Sequence, residues 1–133
     1  MVGVVVVSHS RKVAEGIKEL ADQMVGEDSM IVAVGGLEDG SIGTDAVRIM
    51  EAIKMADKGE GAVILVDLGS AVLSSSLAIE FLEDGLAGRV KIADAPVLEG
   101  TISAAVQAST GDRLPGVLAA AIEARELVKY ATL

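Results

Sequence analysis

Residues 2–17 read VGVVVVSHSRKVAEGI. An apolar run from Val2 to Val7 breaks into Ser8-His9-Ser10, and His9 is the only histidine in the chain. Behind the break, Val13, Ile17, Leu20, Ala21 and Met24 recur at helical spacing, with Gly26 as the stop. A β-branched run of this kind marks a strand buried on both faces, and a helix directly after it opens a parallel β-α-β unit.

The pattern repeats along the chain. Met30–Val34 is a second run, ending in Gly35-Gly36. The polar loop LEDGSIGTD then leads to Ala46, Ile49, Met50, Ile53 and Ala56 at helical spacing, with Thr44 as the expected cap. Ala62–Val66 is the third run and ends in Asp67-Leu68-Gly69-Ser70. A helix carrying Val72, Leu73, Leu77 and Phe81 follows, closed by Asp84-Gly85. The shorter, more polar segment from Gly88 to Ala93 suits a sheet edge. Two Ala-rich helices complete the chain, from about Leu98 to Ser109 and from about Leu114 to Tyr130. The expected fold is α/β: an open, mostly parallel sheet of four or five strands, with helices on both faces.

Composition narrows the function. A length of 133 residues fits a single domain spanning 1–133. Phe81 and Tyr130 are the only aromatics, so the core is built from aliphatic side chains. A formal charge of −9 argues against nucleic-acid partners, which need clustered Lys and Arg, and against anionic membrane surfaces. With no cysteine, thiol nucleophiles and zinc–thiolate sites are excluded. The N-terminal apolar run has no basic region before it, and no stretch approaches a membrane span, so a soluble cytoplasmic domain is expected.

In an open parallel sheet, ligands bind beyond the carboxyl ends of the strands, near a switch in strand order. Ser8-His9-Ser10, Gly35-Gly36 and Asp67-Leu68-Gly69-Ser70 all fall on that edge. His9 and Asp67 therefore share a rim if strands one and three are neighbours. A carboxylate can hold one ring nitrogen as a donor and raise the basicity of the other. Gly35, Gly36 and Gly69 allow backbone amides to approach an anion, and a helix starting near Ser10 adds its positive end. Ser8, Ser10 and Ser70 supply hydroxyls at the same place. Nucleophilic nitrogen, orienting carboxylate and anion cradle together point to a phosphohistidine site. Each residue also has a plainer reading: His9 as a satisfied polar residue, Asp67 as a helix cap.

Other chemistries fit less well. A receiver domain places its phosphorylated aspartate where Asp67 stands, but needs an acidic pair after strand one, where this chain has Ser8-His9-Ser10. The segment LGSAV lacks the second glycine of a nucleophile elbow, and GxGxxG and GxxxxGK[ST] are absent. Two aromatics offer little to stack on a flavin. A carboxylate metal site involving His9 stays open, without a recognised ligand spacing.

Three segments, VVVSHSRKVAEGIKELADQM, VGGLEDGSIGTD and VILVDLGSAVLSS, carry a resemblance across nearly the whole chain. It resembles the phosphotransferase subunits of PTS-dependent dihydroxyacetone kinase, relatives of the mannose-type EIIA domains with a flavodoxin-like fold. The resemblance implies that His9 accepts a phosphoryl group from the phosphocarrier HPr. His9 would pass it to ADP held on a kinase subunit (DhaL), which phosphorylates dihydroxyacetone on a third subunit (DhaK). Asp67 would orient His9, and the subunit would need no cofactor or metal of its own. It also implies a homodimer and, for a chain ending at Leu133, dependence on free HPr. Both partners must reach the rim, so His9 is expected to be exposed, with Ile42, Leu68 and Val72 as apolar docking neighbours. A mannose-type EIIA feeding a transporter EIIB, and a non-catalytic sensing module, are the alternatives.

Overall fold

The computed structural model describes residues 1–26 and 29–130. Its elements run β1 (Gly3–Ser8), α1 (Arg11–Val25), β2 (Ile31–Gly35), α2 (Ala46–Ala56), β3 (Ala62–Val66), α3 (Gly69–Glu80), the short α4 (Asp84–Ala87), β4 (Val90–Ile92), α5 (Val97–Ser109) and α6 (Leu114–Glu123). A single 3-10 turn, Ala124–Glu126, ends the helical tail. The last helix is therefore shorter than the apolar pattern to Tyr130 suggests. Among the described residues no helix is long and apolar enough to cross a membrane.

The four strands are parallel, in the order β2-β1-β3-β4. The chain steps from β1 out to β2, then crosses back over β1 to β3. Right-handed crossovers require these opposite steps to use opposite faces of the sheet. Accordingly α1, α5 and α6 share one buried cluster, with Val4, Val6, Val63 and Leu65, while α2 and α3 share the other, with Val5, Val7 and Ile64. This explains the valine run in β1: successive side chains enter two different cores, so both alternating sets must be apolar.

In two helices the large apolar residues of the sequence pattern do not all face the sheet. In α1 the buried residues are Ala14, Ile17 and Ala21, whereas Val13, Leu20 and Met24 are exposed. In α3 the buried residues are Ala71, Ser75 and Ala78, whereas Val72, Leu73, Leu77 and Phe81 are exposed. Small side chains let a helix lie close to a sheet, so the core face here is the small-residue face, not the large-residue one. The cap of α2 is also shifted. Asp45 is the N-cap, accepting from the amides of Val47 and Arg48, while the Thr44 hydroxyl lies 2.6 Å from that of Ser74 on α3.

At the amino edge of the sheet, an ion pair closes the α2–β3 and α4–β4 connections together. Arg89 Nη2 donates to Asp57 Oδ2 at 2.7 Å and Nε donates to Oδ1 at 3.0 Å. The amides of Gly61 and Gly59 donate to the same carboxylate at 2.9 and 3.2 Å. The Arg89 bonds, with the two amides assisting and burial opposing, hold the Asp57 pKa down at about 2.

Candidate active site

The reversal of direction in strand order falls between β1 and β3, where a cleft is expected at the carboxyl edge. The parallel register sets Val7 against Val66, and the Asp67 amide continues the ladder by donating to the Val7 carbonyl at 3.2 Å. Ser8-His9 and Asp67 thus leave the sheet side by side, although 58 positions separate His9 from Asp67.

Asp67 collects four hydrogen bonds. Its Oδ2 accepts from the Ser8 hydroxyl at 2.9 Å and from the His9 amide at 3.0 Å. Its Oδ1 accepts from the Leu68 amide at 2.8 Å and meets His9 Nδ1 at 2.9 Å. Burial pushes this carboxyl up, but the donors from His9, Ser8 and Leu68 outweigh it and hold the pKa below the usual aspartate value. An ionised carboxylate can only accept, so Nδ1 carries the ring hydrogen in the neutral imidazole. Nε2 is then left with its lone pair, which accepts from the Ser70 hydroxyl at 2.6 Å.

Ser70 belongs to the first turn of α3, a helix whose N-cap, Leu68, supplies no side-chain cap. The amides of Gly69 and Ser70, at the first two helical positions, have no partner within the helix. They add partial positive charge beside the Nε2 lone pair. The site therefore holds one ring nitrogen as a fixed donor and leaves the other with its lone pair toward a hydroxyl at the start of a helix.

The remaining residues expected at the rim divide by what they already do. The hydroxyl of Ser8, a fully buried residue, donates to Asp67 and accepts from the Ser10 amide at 3.0 Å, so it braces the carboxylate instead of facing a ligand. The Ser10 hydroxyl caps α1 by accepting from Val13 N at 3.3 Å. Gly35 permits a close approach, since a Cβ there would lie 2.5 Å from the Ser10 carbonyl oxygen. Gly36 adopts φ +70° and donates its amide to the Ser8 carbonyl at 3.3 Å. Gly35 thus packs the rim, and the Gly36 amide is already engaged. Of the expected cradle, Ser70 is the member that reaches the His9 ring, through its hydroxyl.

His9 is less open than docking led us to expect. Its side chain keeps 18% of its accessibility and that of Asp67 17%. The neighbours are open, with Ile42 at 71% and Leu68 at 60%. Concavities flank the rim. One, of about 490 Å³, lies at the β3 and β4 exits and is lined by Asp67, Leu68, Val72 and Asp94. The other, of about 400 Å³, lies between the start of α1 and the 37–45 loop, against Arg11, Lys12, Gly40 and Ile42.

Residues 3–118 match the EIIA-man family, described as the fructose IIA component of the PTS. The chain belongs to this family. Its curated relatives include proteins named as DhaM phosphoryl donor subunits. It is 42% identical over 107 residues to the phosphoryl donor subunit DhaM of PEP-dependent dihydroxyacetone kinase 2 from Listeria innocua, covering 80% of this chain and 86% of the relative. It is 41% identical over 129 residues to DhaM of the PEP-dependent dihydroxyacetone kinase of Escherichia coli, covering 95% of this chain. The chain spans only about a quarter, 27%, of that longer relative. Among solved structures it is similar to EF1359, a protein described as of unknown function, with a TM-score of 0.81, 41% identity and coverage of 92% of this chain and 94% of that one. The phosphotransferase component EIIA from Streptococcus agalactiae has the same fold, with a TM-score of 0.68 at 16% identity over 95% of this chain and 93% of the other.

Two parts of this site escaped sequence reasoning. Arg48, in the first turn of α2, donates from Nη1 to the carbonyls of Gly36 at 2.8 Å and Gly35 at 3.3 Å. The Thr44–Ser74 contact ties the 37–45 loop to α3. A faint signal for the first existed: an arginine at the positive end of a helix is electrostatically misplaced unless something fixes it there.

Proposed function

We propose that the chain is a cytoplasmic phosphohistidine carrier. His9 accepts a phosphoryl group from phospho-HPr and delivers it to ADP on the kinase subunit (DhaL) of a dihydroxyacetone kinase, which serves dihydroxyacetone bound to DhaK. One observation carries this reading: the two ring nitrogens of His9 are held in opposite roles, Nδ1 by Asp67 and Nε2 by a hydroxyl at the start of a helix.

The Nε2 lone pair attacks phosphorus in line with the departing donor nitrogen, which takes back the electron pair of the bond that breaks. The ring keeps its hydrogen on Nδ1, where the Asp67 carboxylate stabilises the positive charge that develops on the imidazole. In delivery, a terminal oxygen of the diphosphate attacks and the N–P pair returns to Nε2. Such transfers depend chiefly on positioning and on neutralising the equatorial oxygens. The Ser70 hydroxyl beside Nε2, at the uncapped start of α3, supports the second role. The Ser70 hydroxyl must first leave the Nε2 lone pair, a loss of about 1 kcal/mol that a bond to a phosphoryl oxygen offsets.

Ile42, Leu68 and Val72 form the apolar frame on which donor and acceptor proteins dock. The outward stripe of α3, Leu73, Leu77 and Phe81, is the face assigned to a second copy in a homodimer. Glu80 is the only charged residue of that helix. Sedimentation is expected to show a dimer that Phe81→Asp converts to a monomer. A dimer unaffected by that change would place the contact elsewhere.

The relatives' names favour the kinase acceptor over a transporter EIIB. Incubation with phospho-HPr is expected to put an acid-labile label on His9 that the kinase subunits with ADP then remove. Acid-stable label, or label persisting in His9→Ala, contradicts the carrier role. Label that only an EIIB removes contradicts the acceptor.

A further inference from the structure

Three backbone hydrogen bonds frame His9. Its own amide is held by Asp67, and two further bonds come from the two ends of one loop. Gly36 N donates to the Ser8 carbonyl at 3.3 Å, and Gly43 N donates to the His9 carbonyl at 2.9 Å. The loop between these glycines therefore acts as a brace across the peptide groups on both sides of the histidine. Its first end is the point that needs explaining.

Among the described residues, strand β2 lies at the edge of the sheet, with β1 as its one neighbouring strand. Gly35 and Gly36 are nevertheless buried. Buried carbonyls need partners, and no second strand can supply them here. Successive carbonyls of an extended chain point to opposite sides, but the φ of +70° at Gly36 turns the chain. Both carbonyls then converge on a single nitrogen, Nη1 of Arg48, at 2.8 and 3.3 Å. Arg48 is itself fixed in place, because its amide donates to Asp45, the cap of α2, at 3.4 Å. The carboxylate of Asp45 also offsets the unfavourable position of a cation near a helix N-terminus.

We infer that Arg48 is a positioning residue for phosphoryl transfer. Clamping the Gly35-Gly36 carbonyls, it holds the loop that keeps the His9 ring aligned between Asp67 and Ser70. It touches neither His9 nor the transferred group. Its effect passes through Gly36 to Ser8 and through the loop to Gly43. This rests on the carrier reading above, and it concerns the alignment of the ring, not its chemical identity. Near-attack alignment is sensitive to displacements of an ångström, so loosening a remote brace is expected to appear in the transfer step.

The test compares Arg48→Met, Arg48→Gln and Arg48→Lys with the wild-type chain in phosphorylation by phospho-HPr. The methionine removes every donor, the glutamine keeps a neutral one, and the lysine keeps a charged one. Arg48→Met is expected to lower kcat by about 10- to 100-fold with KM for phospho-HPr within about twofold. The expected order of recovery is Lys above Gln above Met. Nitrogen-15 NMR of His9 supplies a readout that a loss of stability alone would not move: the fraction of the Nδ1–H tautomer is expected to fall in Arg48→Met and to return in Arg48→Lys. If Arg48→Met does not fold, the Gln and Lys variants carry the comparison at a temperature where both are folded. Wild-type kcat in Arg48→Met, or in Arg48→Gln where that variant stands in, overturns the inference. So does a loss confined to KM, or a slowed variant whose tautomer is unchanged. Failure of the wild-type chain to take label would instead defeat the carrier reading.

Discussion

Asp67 holds His9 through two different groups at once: Oδ2 takes the backbone amide at 3.0 Å and Oδ1 the ring Nδ1 at 2.9 Å. The carboxylate therefore fixes both the place from which the side chain springs and the rotation of the imidazole. Because Ser8 and Leu68 donate to the same oxygens, the carboxylate has little freedom to turn away.

Replacing Asp67 by Ala removes the ring's orienting acceptor and strands three donors. Transfer is expected to slow by about 100-fold, without abolishing phosphorylation, because Nε2 remains. Rapid-quench measurement of label transfer from phospho-HPr checks this. Unchanged kinetics would remove the orienting role. Asp67→Asn keeps the shape but offers a neutral partner, and is expected to fall between Ala and wild type.

The Ser70 hydroxyl is bound to the nitrogen that must react, so its removal has two opposing effects. Ser70→Ala frees the Nε2 lone pair but takes a donor from the phosphoryl oxygens. Charge-assisted bonds to phosphate outweigh neutral ones, so the phosphorylated state should lose more than the free state. We expect phospho-His9 to hydrolyse several-fold faster in Ser70→Ala. A hydrolysis rate equal to wild type would place the hydroxyl outside the phosphate's reach.

The Asp57–Arg89 pair makes a prediction about stability, independent of activity. The folded pKa of Asp57, about 2, lies below its ordinary 3.8. The unfolded chain thus binds this proton more readily, and stability falls as pH falls. The contribution is fully present above about pH 5 and is lost as the pH drops through 2. Asp57→Asn is expected to cost on the order of 2 kcal/mol at pH 7 and to flatten the acid limb of the urea midpoint measured against pH. Parallel acid limbs for variant and wild type would contradict this.

Much of the site was legible in the sequence because strand ends are abrupt. Val2–Val7, Met30–Val34 and Ala62–Val66 announce buried parallel strands, and the polar groups just after them must gather on one edge. That geometry alone brings His9 to Asp67. The helices were less legible, since hydrophobic periodicity finds a stripe of large residues but not the direction it faces. In α3 the sheet takes Ala71, Ser75 and Ala78 and leaves Leu73, Leu77 and Phe81 outside. The roles of Ser8 and Arg48 were hidden for another reason. They act through hydrogen bonds set by register and by the turn at Gly36, and neither leaves a spacing motif.

The position of the phosphoryl group on the imidazole tests the account most directly. Phosphorus-31 and nitrogen-15 correlation spectra of the labelled chain should show the P–N bond at Nε2 of His9, with the hydrogen retained on Nδ1. A phosphoryl group on Nδ1, or on any residue other than His9, would contradict the arrangement of Asp67 and Ser70 on which the mechanism stands.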